Sequence, residues 1–234
     1  MNYGYSEDGQ RIDLDESDES DRYSAQLYHR VATGVDVTGK DVVDIGCGRG
    51  GGISYVARYL SPKSTTGVDL SKKAIRFCKK HYADEGTTFV PGDAQNLDLP
   101  NSSFDAVLSV ESSHRYPRVG AFLSEVCRIL RPGGTLLFTD FRSQRSLPRL
   151  EADLEACDLR IVRHEDITRN VVEALSLTSP GREALIERLA PSFLQDLAKD
   201  FAATEGSPTY EKFARHYLQY HFWVMEKPSE ADLN

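Results

Sequence analysis

Val42-Val43-Asp44-Ile45-Gly46-Cys47-Gly48-Arg49-Gly50-Gly51-Gly52 carries a short β-prone run straight into a cluster of glycines. Glycine is needed where the backbone must turn tightly, or where a ligand approaches so closely that a Cβ would collide. Two patterns fit. Gly46, Gly48 and Gly50 make GxGxG, whereas Gly46, Gly48 and Gly51 make GxGxxG, the dinucleotide fingerprint. Taken alone, the loop leaves its ligand open.

Working outward, strands and helices alternate. Ser64 to Leu70 supplies β-branched Thr65, Thr66 and Val68. Ser71 then suits a helix N-cap, and Ala74, Ile75, Cys78 and Tyr82 share the face of the helix behind it. Thr87–Val90 and Phe104–Val110 read as the third and fourth strands. Leu123, Val126, Cys127 and Leu130 then form one apolar helical stripe. Arg131-Pro132-Gly133-Gly134 stops that helix, because proline cannot continue it and glycine accepts positive φ. Thr135–Phe141 is the fifth strand. The alternation predicts an α/β, doubly wound, mainly parallel sheet. Beyond it, a helix near Pro148–Cys157, a strand near Arg160–Arg163 and a final strand at Tyr217–Met225 bring the expected sheet to seven strands.

Residues 1–40 read as an N-terminal cap segment, with an aromatic start at Tyr3-Gly4-Tyr5 and a helix from Arg22 to about Thr33. Residues 41–234 form the main domain. Within it, residues 168–216 read as a helical lid inserted before the last strand, near the strand ends where ligands bind in such sheets. Leu175, Leu177, Leu185, Leu189, Phe193 and Leu194 are apolar enough to line a pocket under that lid or to pack its helices.

Bulk properties narrow the function classes. The chain has 234 residues, 27% charged and 40% hydrophobic, with net charge -8. That charge argues against a general nucleic-acid binder. Asp13, Asp15, Glu16, Asp18, Glu19 and Asp21 form an acidic run read as a solvated loop, and Lys72, Lys73, Arg76, Lys79 and Lys80 a solvated helix face. Cys47, Cys78, Cys127 and Cys157 are too scattered for a zinc site, so no metal is expected. No apolar run is long enough to span a bilayer and no leader is evident, so stable membrane insertion is not expected and a cytoplasmic setting is the default.

Asp69 lies 21 residues beyond Gly48, at a strand end, where it can accept from two ribose hydroxyls. Nicotinamide dinucleotide and adenosylmethionine sites share that feature. Three further elements separate them: Gly92-Asp93-Ala94, Phe104-Asp105-Ala106-Val107 and Leu130-Arg131-Pro132-Gly133-Gly134-Thr135. Over residues 26–142, the set resembles the class I (Rossmann-like) methyltransferases. The resemblance implies S-adenosyl-L-methionine as cofactor. It assigns Asp44, Gly46, Gly48 and Gly50 to the methionine portion, Asp69 and Leu70 to ribose and adenine, Asp93 and Ala94 to the adenine edge, and Val110 and Glu111 to the surroundings of the sulfonium. Asp105, near a strand start, reads as structural.

Methyl transfer is an in-line displacement, so the protein's tasks are alignment and exclusion of water. A hydroxyl acceptor must also lose a proton, which suits histidine. In Val110-Glu111-Ser112-Ser113-His114-Arg115-Tyr116-Pro117, His114 follows the fourth strand, and Asp140 faces the same crevice from the fifth. The Glu-Ser-x-His element with the later Asp-Phe resembles small-molecule O-methyltransferases of natural products. Leu27-Tyr28-His29-Arg30 with Glu111-Ser112-Ser113-His114-x-Tyr116-Pro117 resembles the phthiotriolone-type methyltransferases. That likeness implies His114 as general base oriented by Asp140, acting on a hydroxyl of a small apolar natural product, polyketide or lipid. Tyr3, Tyr5, His29 and Tyr116 are expected at the acceptor. The alternatives are C- or N-methylation of a prenyl, sterol-like or other acceptor, and a nonenzymatic cofactor-binding subunit. Oligomeric state is left open.

Overall fold

The structure, a computed structural model, describes residues 2–82 and 86–229. Seven strands form one sheet in the order β3-β2-β1-β4-β5-β7-β6. They are β1 Asp41–Ile45, β2 Ser64–Asp69, β3 Thr87–Pro91, β4 Phe104–Val110, β5 Leu130–Ser143, β6 Arg160–Asp166 and β7 Leu218–Glu226. β1 to β5 pair in parallel, and β7 lies antiparallel between β5 and β6. Because strand order reverses at β1 and β4, their carboxyl ends open a crevice between diverging loops.

Helices α1 Arg22–Ala32, α2 Gly51–Tyr59, α3 Lys72–His81, α4 Val119–Ile129 and α5 Leu147–Glu155 cover the sheet. Two buried clusters result, one per face. Leu27, Val31, Ile53 and Leu108 belong to one; Ile45, Phe122, Leu123 and Trp223 to the other. β7 shows the strand period plainly, with Tyr220 and Phe222 on the first face and Trp223 and Met225 on the second. The Ser71 hydroxyl caps α3 by accepting from the Ala74 N–H at 3.2 Å. Asp105 accepts from the Asp41 N–H and pairs with Arg131 at 2.7 Å, at the sheet end opposite the glycine loop.

Two strand boundaries differ from the expected ones by three residues or more. β5 begins at Leu130, inside the helix-stopping motif, because Gly133 and Gly134 exchange backbone hydrogen bonds with Lys227. β6 runs on to Asp166 because β7 pairs with it there.

After β6 come α6 Thr168–Leu189, α7 Gln195–Phe201 and α8 Pro208–Ala214. The N-terminal segment lies between α1 and α6. Tyr5 N–H donates to Tyr23 C=O, Ser6 N–H to Asn170 C=O, and the Gln26 amide to Tyr5 C=O. Among the described residues, no helix is long and apolar enough to cross a membrane.

Candidate active site

Gly46, Gly48 and Gly50 all take left-handed φ, at 84°, 57° and 82°. A Cβ on Gly46 would fall 2.4 Å from the Ser112 Cβ, so this glycine lets the loops after β1 and β4 touch. Gly52 is tighter still. A Cβ there would meet the Tyr28 ring at 1.9 Å. The ring held on Gly52 sends its hydroxyl to Asp44 Oδ2 at 3.0 Å. Asp44 is fully buried, and its other oxygen, Oδ1, has no protein partner. Desolvation pushes its pKa up to about 7, against the lowering effect of the Tyr28 hydrogen bond.

Asp69 braces the loop through Oδ2, which accepts from the Gly48 N–H at 2.9 Å, while Oδ1 accepts from the Ser71 N–H at 2.8 Å. Around these groups lies a cavity of about 900 Å³. Its walls include Gly46, Gly48, Asp69, Leu70, Asp93, Ala94, Val110, Glu111 and Tyr116. The volume suits a nucleoside-sized ligand. Asp44 does not line the cavity and lies behind Tyr28, which does; Gly50 does not line it either and stands at the N-cap of α2. An unpartnered buried carboxylate oxygen, a glycine cradle and an acidic residue at the rim fit a cofactor that carries an ammonium, a ribose and an adenine.

A second cavity, of about 180 Å³, adjoins the first and shares Asn2, Glu111 and Arg115 with it. Tyr3, His114, Phe141, Arg182, Phe201 and Ala202 complete its lining. The His114 Nδ1 lies 2.8 Å from Asp140 Oδ1. Asp140 is fully buried and well supplied with donors. His114 N–H, the Ser113 hydroxyl and Phe141 N–H donate to it at 2.9, 2.7 and 2.8 Å, and Arg142 stands 3.3 Å away. Burial raises its pKa, but His114, Arg142 and Ser113 outweigh that and hold the carboxyl below its ordinary value. A carboxylate fixed this way orients an imidazole and stabilises its cation.

Glu111 stands between the cavities with φ of 48°, a left-handed conformation rare outside glycine. Its Oε1 accepts from the Tyr3 N–H at 2.7 Å and the Tyr220 hydroxyl at 2.8 Å. Desolvation lifts its pKa to about 7, although both hydrogen bonds oppose the rise. Arg182, on α6, donates to the Ala202 and Tyr3 carbonyls at 2.7 and 3.3 Å. Among the described residues it forms no salt bridge, and desolvation lowers its pKa against the pull of Glu111 and Tyr3.

The structure thus brings His114 to Asp140, and Tyr3 and Glu111 to the same cavity. Tyr116 lines the larger cavity, with its hydroxyl buried and unpartnered. Tyr5 lines neither cavity. Its ring is buried in the core and its hydroxyl donates to Glu7 at 3.0 Å. His29 stands behind the wall, 2.7 Å from the hydroxyl of Tyr55, which lines the larger cavity. The lid leucines, expected either to line a pocket or to pack helices, wall neither of these cavities. Leu175 is buried in the core, while Leu177, Leu185, Leu189, Phe193 and Leu194 are exposed and line neither cavity. The acidic run is more ordered than a loop: Glu16–Asp21 is a 3-10 helix, and Asp18 pairs with Arg58 at 2.6 Å. Tyr28, Gly52 and Ser113 stand in the quoted sequence motifs without a role of their own, and Arg182 was not singled out, since each matters through a neighbour distant in the chain.

Residues 43–138 match a family described as methyltransferase domain. The fatty-acid O-methyltransferase of Mycolicibacterium smegmatis is 42% identical over 98% of this chain and 84% of its own. The phthiotriol/phenolphthiotriol dimycocerosates methyltransferase of Mycobacterium tuberculosis is 40% identical over 97% of this chain and 84% of its own. Among solved structures, a candidate sarcosine dimethylglycine methyltransferase from Galdieria sulphuraria has a TM-score of 0.78. It is 16% identical, and the likeness covers 97% of this chain and 93% of that one, which speaks to the fold.

Proposed function

This chain belongs to the S-adenosylmethionine-dependent methyltransferases, and on that premise we propose that it methylates a hydroxyl oxygen of a lipid-like acceptor, with His114 as general base. The observation that carries the reading is the His114–Asp140 pair, set in a small cavity that opens beside the cofactor-sized one. When bound, the cofactor supplies an electrophilic methyl group on a sulfonium. Asp44, Asp69 and Asp93 would hold its ammonium, ribose and adenine.

Asp140 accepts the Nδ1–H of His114, which leaves Nε2 as an acceptor for the hydroxyl proton. The buried charge of Asp140 then stabilises the imidazolium. Tyr3 and Phe141 flank the same cavity and exclude water from it. In this reading residues 1–40 act as a cap and 168–216 as a lid, a view supported by Tyr3 reaching Glu111 and by Arg182 reaching Tyr3. The two mycobacterial relatives, one named for fatty acids and one for phthiotriols, support a long apolar acceptor.

General-base catalysis contributes about 10²–10⁴ in rate. His114→Ala therefore lowers the single-turnover rate at least about a hundredfold, and Asp140→Asn also lowers it by disturbing the tautomer. A loss of less than about tenfold in His114→Ala removes the base from the mechanism.

Arg182 favours a second reading, transfer to a carboxylate oxygen. A partly buried guanidinium without a carboxylate partner is costly, and an anionic head group would complete it. A carboxylate needs no base, so under this reading Arg182→Met abolishes turnover while His114→Ala retains it.

A further inference from the structure

We propose that α6 and α7 form an open apolar trough that holds the aliphatic tail of the acceptor, outside the cavity that holds its reacting head. The inference rests on the lipid-acceptor reading above and is indifferent to which oxygen reacts. It starts from a mismatch of size. The cavity at His114 is about 180 Å³, below the roughly 300–1,000 Å³ of pockets that enclose drug-sized ligands. It can enclose a head group, while a long chain must continue elsewhere.

Two helices in the cavity wall offer the continuation. On α6, Arg182 lines the cavity, and Leu185 and Leu189 follow at three and seven residues, on the same helical face. On α7, Phe201 lines the cavity and Leu197 precedes it by four residues on the same face, with Leu194 at the N-cap, seven residues before Phe201. Both stripes thus start at the cavity and run away from it for about 10 Å, at 1.5 Å per residue. They are bare: Leu189, Leu197 and Phe201 are 69, 67 and 72% exposed. Large apolar side chains left exposed side by side in this way point to an interaction site.

Charge selects the occupant. Residues 182–201 contain three basic side chains (Arg182, Arg188, Lys199) and four acidic ones (Glu183, Glu187, Asp196, Asp200). An anionic bilayer surface would call for a basic excess, which is lacking. A hydrocarbon chain needs only apolar area continuous with the head-group cavity, and this face supplies it.

The test compares the full-length wild type with a Leu189→Ser, Leu197→Ser double variant. Both positions are exposed and outside the cavities. The acceptors are straight-chain alkanols, kept below their solubility limits, and alkanoates, kept below their critical micelle concentrations, each of increasing length. Wild-type kcat/KM should rise roughly two- to fourfold per methylene over the length of the trough, as expected for partial to full burial. The double variant should flatten that rise while keeping the wild-type rate on the shortest acceptors and the wild-type KM for S-adenosylmethionine. A dansyl-labelled undecanoate, which reports binding without turnover, should bind the variant about tenfold more weakly.

A variant with wild-type length dependence and wild-type probe binding overturns the trough, as does a wild type active on these acceptors but insensitive to their length. Sedimentation showing a wild-type dimer that the two serines dissociate also overturns it, by giving the face to a second copy. A wild type that methylates neither series yet binds the probe on this face defeats the acceptor reading instead and leaves the tail site standing.

Discussion

Asp44 and Gly52 show how much a single position decides. Asp44 holds a buried carboxyl with one oxygen on Tyr28 and one without a partner, and its pKa stands near 7. A cofactor ammonium would be held by the ionised form. Affinity for S-adenosylmethionine should therefore increase as pH rises through about 7, and Asp44→Asn should bind weakly with no such increase; calorimetry across pH 6 to 8 measures both. Gly52→Ala drives a methyl into the Tyr28 ring, and overpacking of this kind costs about 1–3 kcal/mol. Denaturant unfolding should show that loss, together with weaker cofactor binding, because the displaced ring carries its hydroxyl away from Asp44.

Among the elements, the N-terminal segment is tied to the site by one acceptor atom. Glu111 Oε1 takes hydrogen bonds from the Tyr3 backbone and the Tyr220 hydroxyl, at a residue already in a left-handed conformation. Glu111→Ala leaves the buried Tyr220 hydroxyl unsatisfied, at about 1–3 kcal/mol, and releases the segment whose Tyr3 walls the cavity at His114. Its acceptor KM should rise. Glu111→Gln keeps an accepting oxygen and should restore most of both losses, which separates hydrogen bonding from charge. The glycine loop, Ser71 and the proline-glycine stop were legible in sequence because each acts within its own turn. Helix α6 was less so. Its 22 residues run through Pro180 and Gly181, and which of its leucines would be buried depended on what packed against it.

For the whole molecule, two carboxyls with raised pKa values make stability depend on pH, each in the same direction. Asp44 and Glu111 hold their protons up to about 7 when folded and release them near 4 when unfolded. Between those limits the folded chain binds more protons, so their contribution to stability falls as pH rises and levels off above about 7. Cofactor binding works the other way. At a concentration one hundred times its Kd, S-adenosylmethionine adds about 2.7 kcal/mol, a rise of roughly 5–10 °C in Tm for a chain of this size. Scanning calorimetry with and without cofactor should show that shift at pH 7.5, and Asp44→Asn should lose most of it.

The sequence by itself determined the sheet, the cofactor loop and the placing of His114 and Asp140 at neighbouring strand ends. Strand periodicity, glycines at obligatory turns and the order of the short motifs are local properties, and parallel pairing fixes where the strand ends fall. Only the tertiary structure decided the rest. Tyr28 reaches Asp44 because Gly52 yields space, Arg182 enters the cavity at His114 from a position 68 residues further along the chain, and Leu177, Leu185, Leu189 and Leu194 face outward while Leu175 is buried. These are contacts between segments distant in the chain, and burial is a property of the partner surface as much as of the residue.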